Sequence, residues 1–149
     1  MATVRITNVL NPAQIAYILK SPAGPTARDL IKRGVRVQTR ARRNLSGNTG
    51  SGPKRVDTGL LRASIATQLR VDLEGLVMRV GTGVRYARWI HDGTGIYGPK
   101  ARMIKPKQAK YMRWYNKQGT AVFARQTKGM KPNPFLRNAL PAYRASSSA

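Results

Sequence analysis

The sequence has no cysteine, one histidine and only five acidic residues. Without cysteine it has no disulfides, no thiolate nucleophile and none of the usual cysteine-rich zinc sites. The acids are too scattered for an obvious Mg²⁺ cage, so we predict no metal site and no cofactor. These acids are Asp29, Asp57, Asp72, Glu74 and Asp92.

Long apolar runs are also missing. None approaches the ~18 residues of a membrane span, and the first five residues lack the charged-then-apolar layout of a secretory signal. We therefore expect a chain that is made and used in a cytoplasm. Its 149 residues, 41% of them hydrophobic, predict one domain over residues 1–149 with a single core.

Positive charge is what the chain has in excess. Lysine and arginine number 28 against the five acids, which gives a formal charge of +23 and an isoelectric point near 11.7. Such an imbalance calls for a polyanionic partner or an assembly that compensates it, and nucleic acid is the first candidate.

Two helices are predicted in the first third of the chain. Asn11-Pro12 is typical of an N-cap followed by proline, and the short helix that it starts ends before Ser21. Thr26 and Asp29 resemble a capping box at the start of a long helix that runs to Ser46. The apolar stripe of that helix is Ala27, Leu30, Ile31, Val35, Ala41 and Leu45.

The other faces of this long helix are strongly basic. Like charges four residues apart lower helix stability, so the pattern favours contact with an anion over a merely solvated face. DNA phosphate and an acidic neighbouring subunit are both open as that anion. The candidate contact residues are Arg28, Lys32, Arg33, Arg36, Arg40, Arg42 and Arg43.

Turns and short elements follow. Residues 46–53 form a glycine-rich loop without the Gly-Lys-Ser/Thr ending of a phosphate loop, so we do not expect nucleotide binding there. Asp57 or Thr58 caps a helical turn that packs Leu60 and Leu61 inward. Alternating residues predict hairpins over 65–80 and 111–125, and weak alternation over 3–10 indicates a strand or an ordered arm.

Two more helices complete the prediction. A short helix is predicted over residues 84–91 and stops at Gly93, with Tyr86, Trp89 and Ile90 on one face. Asn133-Pro134 starts a last helix that ends by residue 143. The fold class is α+β, with a roughly four-stranded antiparallel sheet of two hairpins packed against the long basic helix. We expect one shared core of Leu60, Leu61, Tyr86, Trp89, Ile90, Phe135 and Leu136.

The single histidine raises the question of catalysis. His91 beside Asp92, with Arg85 or Arg88 near a reacting phosphate, would resemble a small metal-independent ribonuclease. Acid–base cleavage needs a second proton-transfer group, for which Tyr86 or Tyr97 would have to serve. A lone histidine at a helix end more often caps backbone carbonyls, so we predict no catalytic residue and no enzyme.

Four separated motifs, over residues 56–64, 80–82, 86–94 and 132–140, stand in an informative order. Together they resemble the small tail-completion or head-to-tail-joining proteins of long-tailed bacteriophages. The resemblance covers residues 25–143. We expect an N-terminal arm and a short helix before it, over residues 1–24, and a mobile tail after it, over residues 144–149. The motif residues include Asp57, Thr58, Gly59, Leu60, Arg62, Tyr86, Trp89, Gly93, Thr94, Asn133, Pro134, Phe135 and Leu136.

The resemblance implies a virion structural protein without an active site. It implies a ring, six-fold by default with twelve-fold as the alternative, between the DNA-filled head and the tail. Expected partners are further copies of the chain, connector or head-closure proteins, tail-tube or terminator proteins, and packaged double-stranded DNA.

This sequence departs from the family pattern in one place. The family often has an acidic residue before its Gly-Thr pair, and here this acid is displaced by one residue. A ribosomal or chromatin-like nucleic-acid-binding protein is the alternative, because +23 is typical of that class.

Overall fold

The structure is a computed structural model that describes residues 11–47, 58–73, 75–116 and 118–144. The predicted α+β class is confirmed. The predicted strand or arm over 3–10, most of the glycine loop, and the tail beyond residue 144 lie outside the described residues. The elements are α1 (Pro12–Lys20), α2 (Pro25–Leu45), α3 (Leu60–Ser64), β1 (Ala66–Asp72), β2 (Gly75–Gly81), α4 (Ala87–Asp92), β3 (Met112–Tyr115) and β4 (Ala121–Ala124), with 3-10 helices at Gly95–Tyr97 and Arg137–Tyr143.

Helix α1 starts as predicted, since the Asn11 side chain accepts a hydrogen bond from the Ala13 amide at 3.0 Å. The predicted capping box of α2 is wrong. The helix begins at Pro25, whose fixed φ suits a first helical position, and Gly24 is its N-cap. Asp29 instead forms an ion pair with Arg33 at 2.7 Å.

The buried face of α2 differs in part from the predicted apolar stripe. Ile31 and Val35 are 43% and 45% exposed, although both are strongly apolar. Gly34 faces inward instead, against Met78 on β2. Only a residue without a side chain allows this close approach, since a Cβ there would lie 2.8 Å from Cγ of Met78. The buried residues of α2 are Ala27, Gly34, Val37, Ala41, Asn44 and Leu45.

Both predicted hairpins are present, but they form two separate sheets. Strands β1 and β2 pair antiparallel from Ala66↔Gly81 to Asp72↔Gly75, and this hairpin packs against α2. Strands β3 and β4 pair with each other from Met112↔Ala124 to Tyr115↔Ala121. Within the described residues each sheet has two strands, so the predicted single four-stranded sheet is corrected to two two-stranded sheets.

One apolar cluster joins α2, α3, α4 and the 3-10 helix Arg137–Tyr143. Its buried members are Val37, Ala41, Leu45, Leu61, Ile65, Ala87, Phe135 and Ala139. Leu61 and Phe135 were predicted correctly, and Tyr86, Ile90 and Leu136 pack against the cluster.

The predictions that Leu60 and Trp89 are core residues are wrong, since these side chains are 58% and 60% exposed. Helix α4 starts at Ala87 rather than Val84. Ala87 is buried and Tyr86 and Ile90 pack against the core, so the inward side of α4 lies along these three residues and Trp89 lies outside it. Leu60 and Leu61 are successive in a one-turn helix, so only one of them faces the core.

The last predicted helix is helical but of another type. It is a 3-10 helix that begins at Arg137, and Asn133 is not its N-cap. Pro141 lies inside this segment, where its missing N–H and its ring oppose a regular α-helix. Asn133 is fully buried against α2 instead.

Candidate functional site: the motif junction and the basic surfaces

The first two motifs are joined by a chain of hydroxyl groups. The Ser64 and Thr82 side-chain oxygens lie 2.6 Å apart. Ser64 Oγ donates to the Leu61 carbonyl at 2.9 Å, so the Thr82 hydroxyl donates to Ser64. Thr82 Oγ1 also accepts from the Val84 amide at 3.2 Å. This network fixes α3 to the end of β2. Asp57 lies outside the described residues.

The third and fourth motifs meet on the other side of the core. The Asn133 amide donates to the Ile90 carbonyl at 2.8 Å. The His91 ring packs edge-on against Phe135, with ring centroids 5.6 Å apart. Phe135 is fully buried, so the two motifs share one packed contact.

Gly93 and Thr94 hold a backbone pairing with residues 128–130. The Thr94 amide donates to the Met130 carbonyl at 2.9 Å, and Thr94 Oγ1 accepts from the Met130 amide at 2.9 Å. The Ile96 amide donates to the Lys128 carbonyl at 2.9 Å. Gly93 has φ +78° and ends α4, a conformation that favours glycine. The Gly-Thr pair therefore has a structural role.

Asn44 is an important residue that the sequence analysis missed. Its Nδ2 donates to the Phe135 carbonyl at 2.9 Å, and Asn133 Nδ2 donates to the Asn44 carbonyl at 3.3 Å. Both asparagines are fully buried. A signal was present, because Asn44 is the polar residue between Ala41 and Leu45 on the apolar side of α2.

The remaining motif residues have lesser local contacts. Thr58 Oγ1 accepts from the Leu60 amide at a long 3.4 Å, and Gly59 precedes α3 with φ +79°. Arg62 is exposed and reaches Ser46 at 3.5 Å. The Pro134 carbonyl accepts from the Asn138 amide at 2.9 Å. The four motifs thus surround one core and build the scaffold.

His91 was predicted to cap carbonyls, but its hydrogen bond goes to a neighbouring side chain. Nδ1 lies 2.8 Å from Asp92 Oδ1, and Arg88 Nε lies 3.6 Å from the other carboxylate oxygen. The hydrogen bond from His91, with the charges of His91 and Arg88, lowers the pKa of Asp92 against an opposing effect of burial. This arrangement orients His91 and gives the carboxylate a structural role.

We expect His91→Gln to fold normally and to change the free energy of unfolding by about 1 kcal/mol or less. The pKa of Asp92 should rise towards its ordinary value, because the variant loses the hydrogen bond and the charge of His91 that lower it. A lowered carboxylate pKa adds stability above the unfolded-state pKa near 4, and this contribution is lost as pH falls further. NMR titration of the Asp92 carboxyl and thermal melts measure both effects. A loss of stability well above about 1 kcal/mol, or an unchanged pKa of Asp92, would contradict this local structural role.

The structure divides the seven predicted contact cations of α2 into two groups. Arg33 pairs with Asp29, and Arg42 turns toward the body, where its Nη2 donates to the Ile65 carbonyl at 2.9 Å. Gln38 donates to the same carbonyl at 2.6 Å. The other five follow the side of α2 away from the core and form what we call the basic face. They are Arg28, Lys32, Arg36, Arg40 and Arg43, of which Arg36 is half-buried and the rest are exposed.

The described acids do little to balance this charge. Asp29, Asp72 and Asp92 each contact an arginine of the same chain, with Asp72 lying 3.9 Å from Arg79. Most described lysines and arginines therefore have no acid beside them. The surface is positive over several separate elements.

The second hairpin presents aromatic rings already covered by cations. The Arg113 guanidinium lies 5.2 Å from the centre of the Tyr115 ring and 5.7 Å from that of Phe123. Arg125 lies 5.5 Å from the Tyr111 ring centre. All five side chains are exposed. Tyrosine, phenylalanine and arginine are typical of the centres of protein interfaces.

No helix of the described residues is long and apolar enough to cross a membrane. Comparisons with protein-family models, with curated proteins and with solved structures find no match for this chain.

Proposed function

We propose that the chain is a structural protein of the virion of a long-tailed bacteriophage, a tail-completion or neck component. It forms a ring that joins the DNA-filled head to the tail, and it passes through the host cytoplasm during assembly. The proposal is supported by the four ordered motifs, which surround one core, and by the many apolar side chains that remain exposed outside this core.

The exposed apolar surface carries the proposal. Among the described residues, twenty large hydrophobic side chains are exposed, while only nine hydrophobic residues are buried. Single exposed apolar residues are normal on a monomer, whereas groups of them on one element mark contact surfaces. Exposed side chains occur on α1, on α2 and on both faces of the second hairpin, as expected of a subunit with neighbours on several sides. Examples are Ile18, Leu19, Val35, Trp114, Tyr115 and Phe123.

A closed ring forms if two different surfaces of adjacent copies meet and the rotation from each copy to the next returns to the first copy after one full turn. Six-fold symmetry is the default for this proposal, and twelve-fold is the alternative. Connector or head-closure proteins would lie on one side of the ring and tail-tube or terminator proteins on the other. Packaged double-stranded DNA would pass the basic face.

Electron microscopy and sedimentation of the purified full chain test this proposal. We expect closed rings whose abundance rises with protein concentration. Phage particles that lack the protein should accumulate as filled heads and separate tails. A chain that remains monomeric at every concentration, and whose loss leaves joined particles, would overturn the proposal in favour of a nucleic-acid-binding protein of the ribosomal or chromatin type.

We expect the double variant Lys32→Gln, Arg40→Gln to assemble less well although its monomer is not less stable. Both residues are exposed on the basic face, and removing them relieves like-charge repulsion at spacings of four residues, worth a few tenths of a kcal/mol each. Ring yield or DNA retention should fall by at least several-fold, and raised salt should reproduce this loss in the unmodified protein. Monomer melts and ring yields across a salt series provide the measurement.

The matched control is Arg70→Gln with Lys128→Gln, which removes the same charge from exposed positions outside α2. The control should assemble like the unmodified protein. Equal ring yields for both double variants at every salt concentration would mean that the basic face is only solvated.

A further inference from the structure

A second basic surface lies apart from α2. It is a cleft of about 940 Å³ between α4 and the segment 98–107, with the backbone of residues 93–95 on its lining. The mutual backbone hydrogen bonds of Ile104 and Thr127, both 3.0 Å, tie this segment to the body. The cleft is therefore part of the fold and not a gap beside a loose loop.

Cations converge on this cleft. Among the described lining residues five are basic and one, Asp92, is acidic, and Asp92 already contacts both His91 and Arg88. The other four cations have no acidic partner among the described residues. The basic lining residues are Arg88, Lys100, Arg102, Lys105 and Lys107.

Trp89 lines the same cleft and is 60% exposed. Arginines lie over the rings of Tyr111, Tyr115 and Phe123, but within the described part of the chain no cation covers the Trp89 indole. Packing does not account for this tryptophan, because the core contact of α4 is made by Ala87 and Ile90. An open indole next to several unpaired cations provides a stacking surface and phosphate contacts in one place.

We propose that this cleft binds an unpaired stretch of nucleic acid, with a base stacked on Trp89 and phosphates held by the surrounding lysines and arginines. Stacking on the Trp89 indole distinguishes an unpaired strand from other polyanions. A blunt duplex keeps its base faces stacked internally, and an acidic peptide or inorganic polyphosphate offers no base. The inference does not depend on the head–tail role.

The test uses the full chain as the variant Trp114→Phe, which leaves Trp89 as its only tryptophan. Fluorescence titrations compare short single strands of DNA and of RNA, a blunt DNA duplex, inorganic polyphosphate and polyglutamate. We expect single strands to bind most tightly and to quench the indole. The DNA and RNA arms identify which strand is the better ligand.

Two changes probe the two kinds of contact. Trp89→Ala, which removes the indole used as the reporter, is measured by calorimetric titration and should weaken single-strand binding about 5- to 100-fold, with little effect on polyphosphate. Lys105→Gln with Lys107→Gln should reduce the salt slope of single-strand binding by about 1.4, the value for two lost phosphate contacts. The charge-matched control Lys20→Gln with Arg70→Gln, outside the cleft, should leave the slope nearly unchanged.

Thermal melts confirm that each variant is folded. Equal affinity for the blunt duplex, polyphosphate or polyglutamate without indole quenching would overturn the proposal, as would an unchanged slope in the lysine variant. A monomeric chain that nevertheless shows the expected binding would overturn only the ring function.

Discussion

Phe135→Ala should lower the free energy of unfolding by about 3 to 5 kcal/mol. Phe135 is fully buried and is the largest side chain of the core. Its ring meets that of His91, and truncation would leave a cavity between α2 and α4. For a chain of this size each kcal/mol corresponds to about 2–4 °C, so the melting temperature should fall by about 10 °C. Denaturant unfolding and thermal melts provide the measurement.

Trp89→Ala is the matched comparison for this loss. It removes a larger aromatic ring, but that ring is mostly exposed, so the expected change is below about 1 kcal/mol. Similar losses in the two variants would mean that Trp89 is packed in the monomer and that the assignment of the core is wrong. A small change at Phe135 would lead to the same conclusion.

The contrast between these two aromatics shows where sequence patterns were sufficient. Turn and cap residues act locally, so the sequence alone predicted three kinds of feature. These are the start of α1 at Asn11-Pro12, the two hairpins and the end of α4 at Gly93. The i, i+3, i+4 spacing of Tyr86, Trp89 and Ile90 also placed Trp89 in the core, and there it was insufficient. The inward side of α4 lies along Tyr86, Ala87 and Ile90, so Trp89 lies outside it and is exposed.

Long-range contacts explain the other differences. Gly34 is buried because Met78 approaches it, and Asn44 because it bonds the Phe135 carbonyl 91 residues away. Neither partner is indicated by local sequence. Whether two hairpins pair into one sheet depends on how the segment between β2 and β3 folds. The two hairpins were therefore predictable from the sequence, and their separation into two sheets was not.

The candidate surfaces were predictable to a similar degree. Charge spacing identified the basic face of α2, but only the structure shows that Arg42 turns inward to the Ile65 carbonyl. The basic cleft was missed because its cations come from α4 and from a segment without regular periodicity. Tertiary structure brings them beside Trp89.

Gly95→Ala should lower the free energy of unfolding by about 3 to 5 kcal/mol. Gly95 has φ +67°, and a Cβ there would lie 2.1 Å from the Lys128 carbonyl oxygen. Backbone must therefore move, which breaks the pairing of residues 94–96 with 128–130. Hydrogen exchange at the Thr94, Ile96 and Met130 amides should accelerate, since these amides form that pairing.

Gly59→Ala separates the two reasons for this expected loss. Gly59 has φ +79°, close to that of Gly95, but among the described residues nothing beyond its two chain neighbours lies within 4 Å of the position that its Cβ would take. The control therefore carries the conformational penalty alone, about 1 to 2 kcal/mol. The difference between the two variants measures the close approach of the two backbone segments. Equal losses, with unchanged exchange at Ile96, would mean that the 94–96 segment yields at little cost and that its glycine is there only for its φ angle.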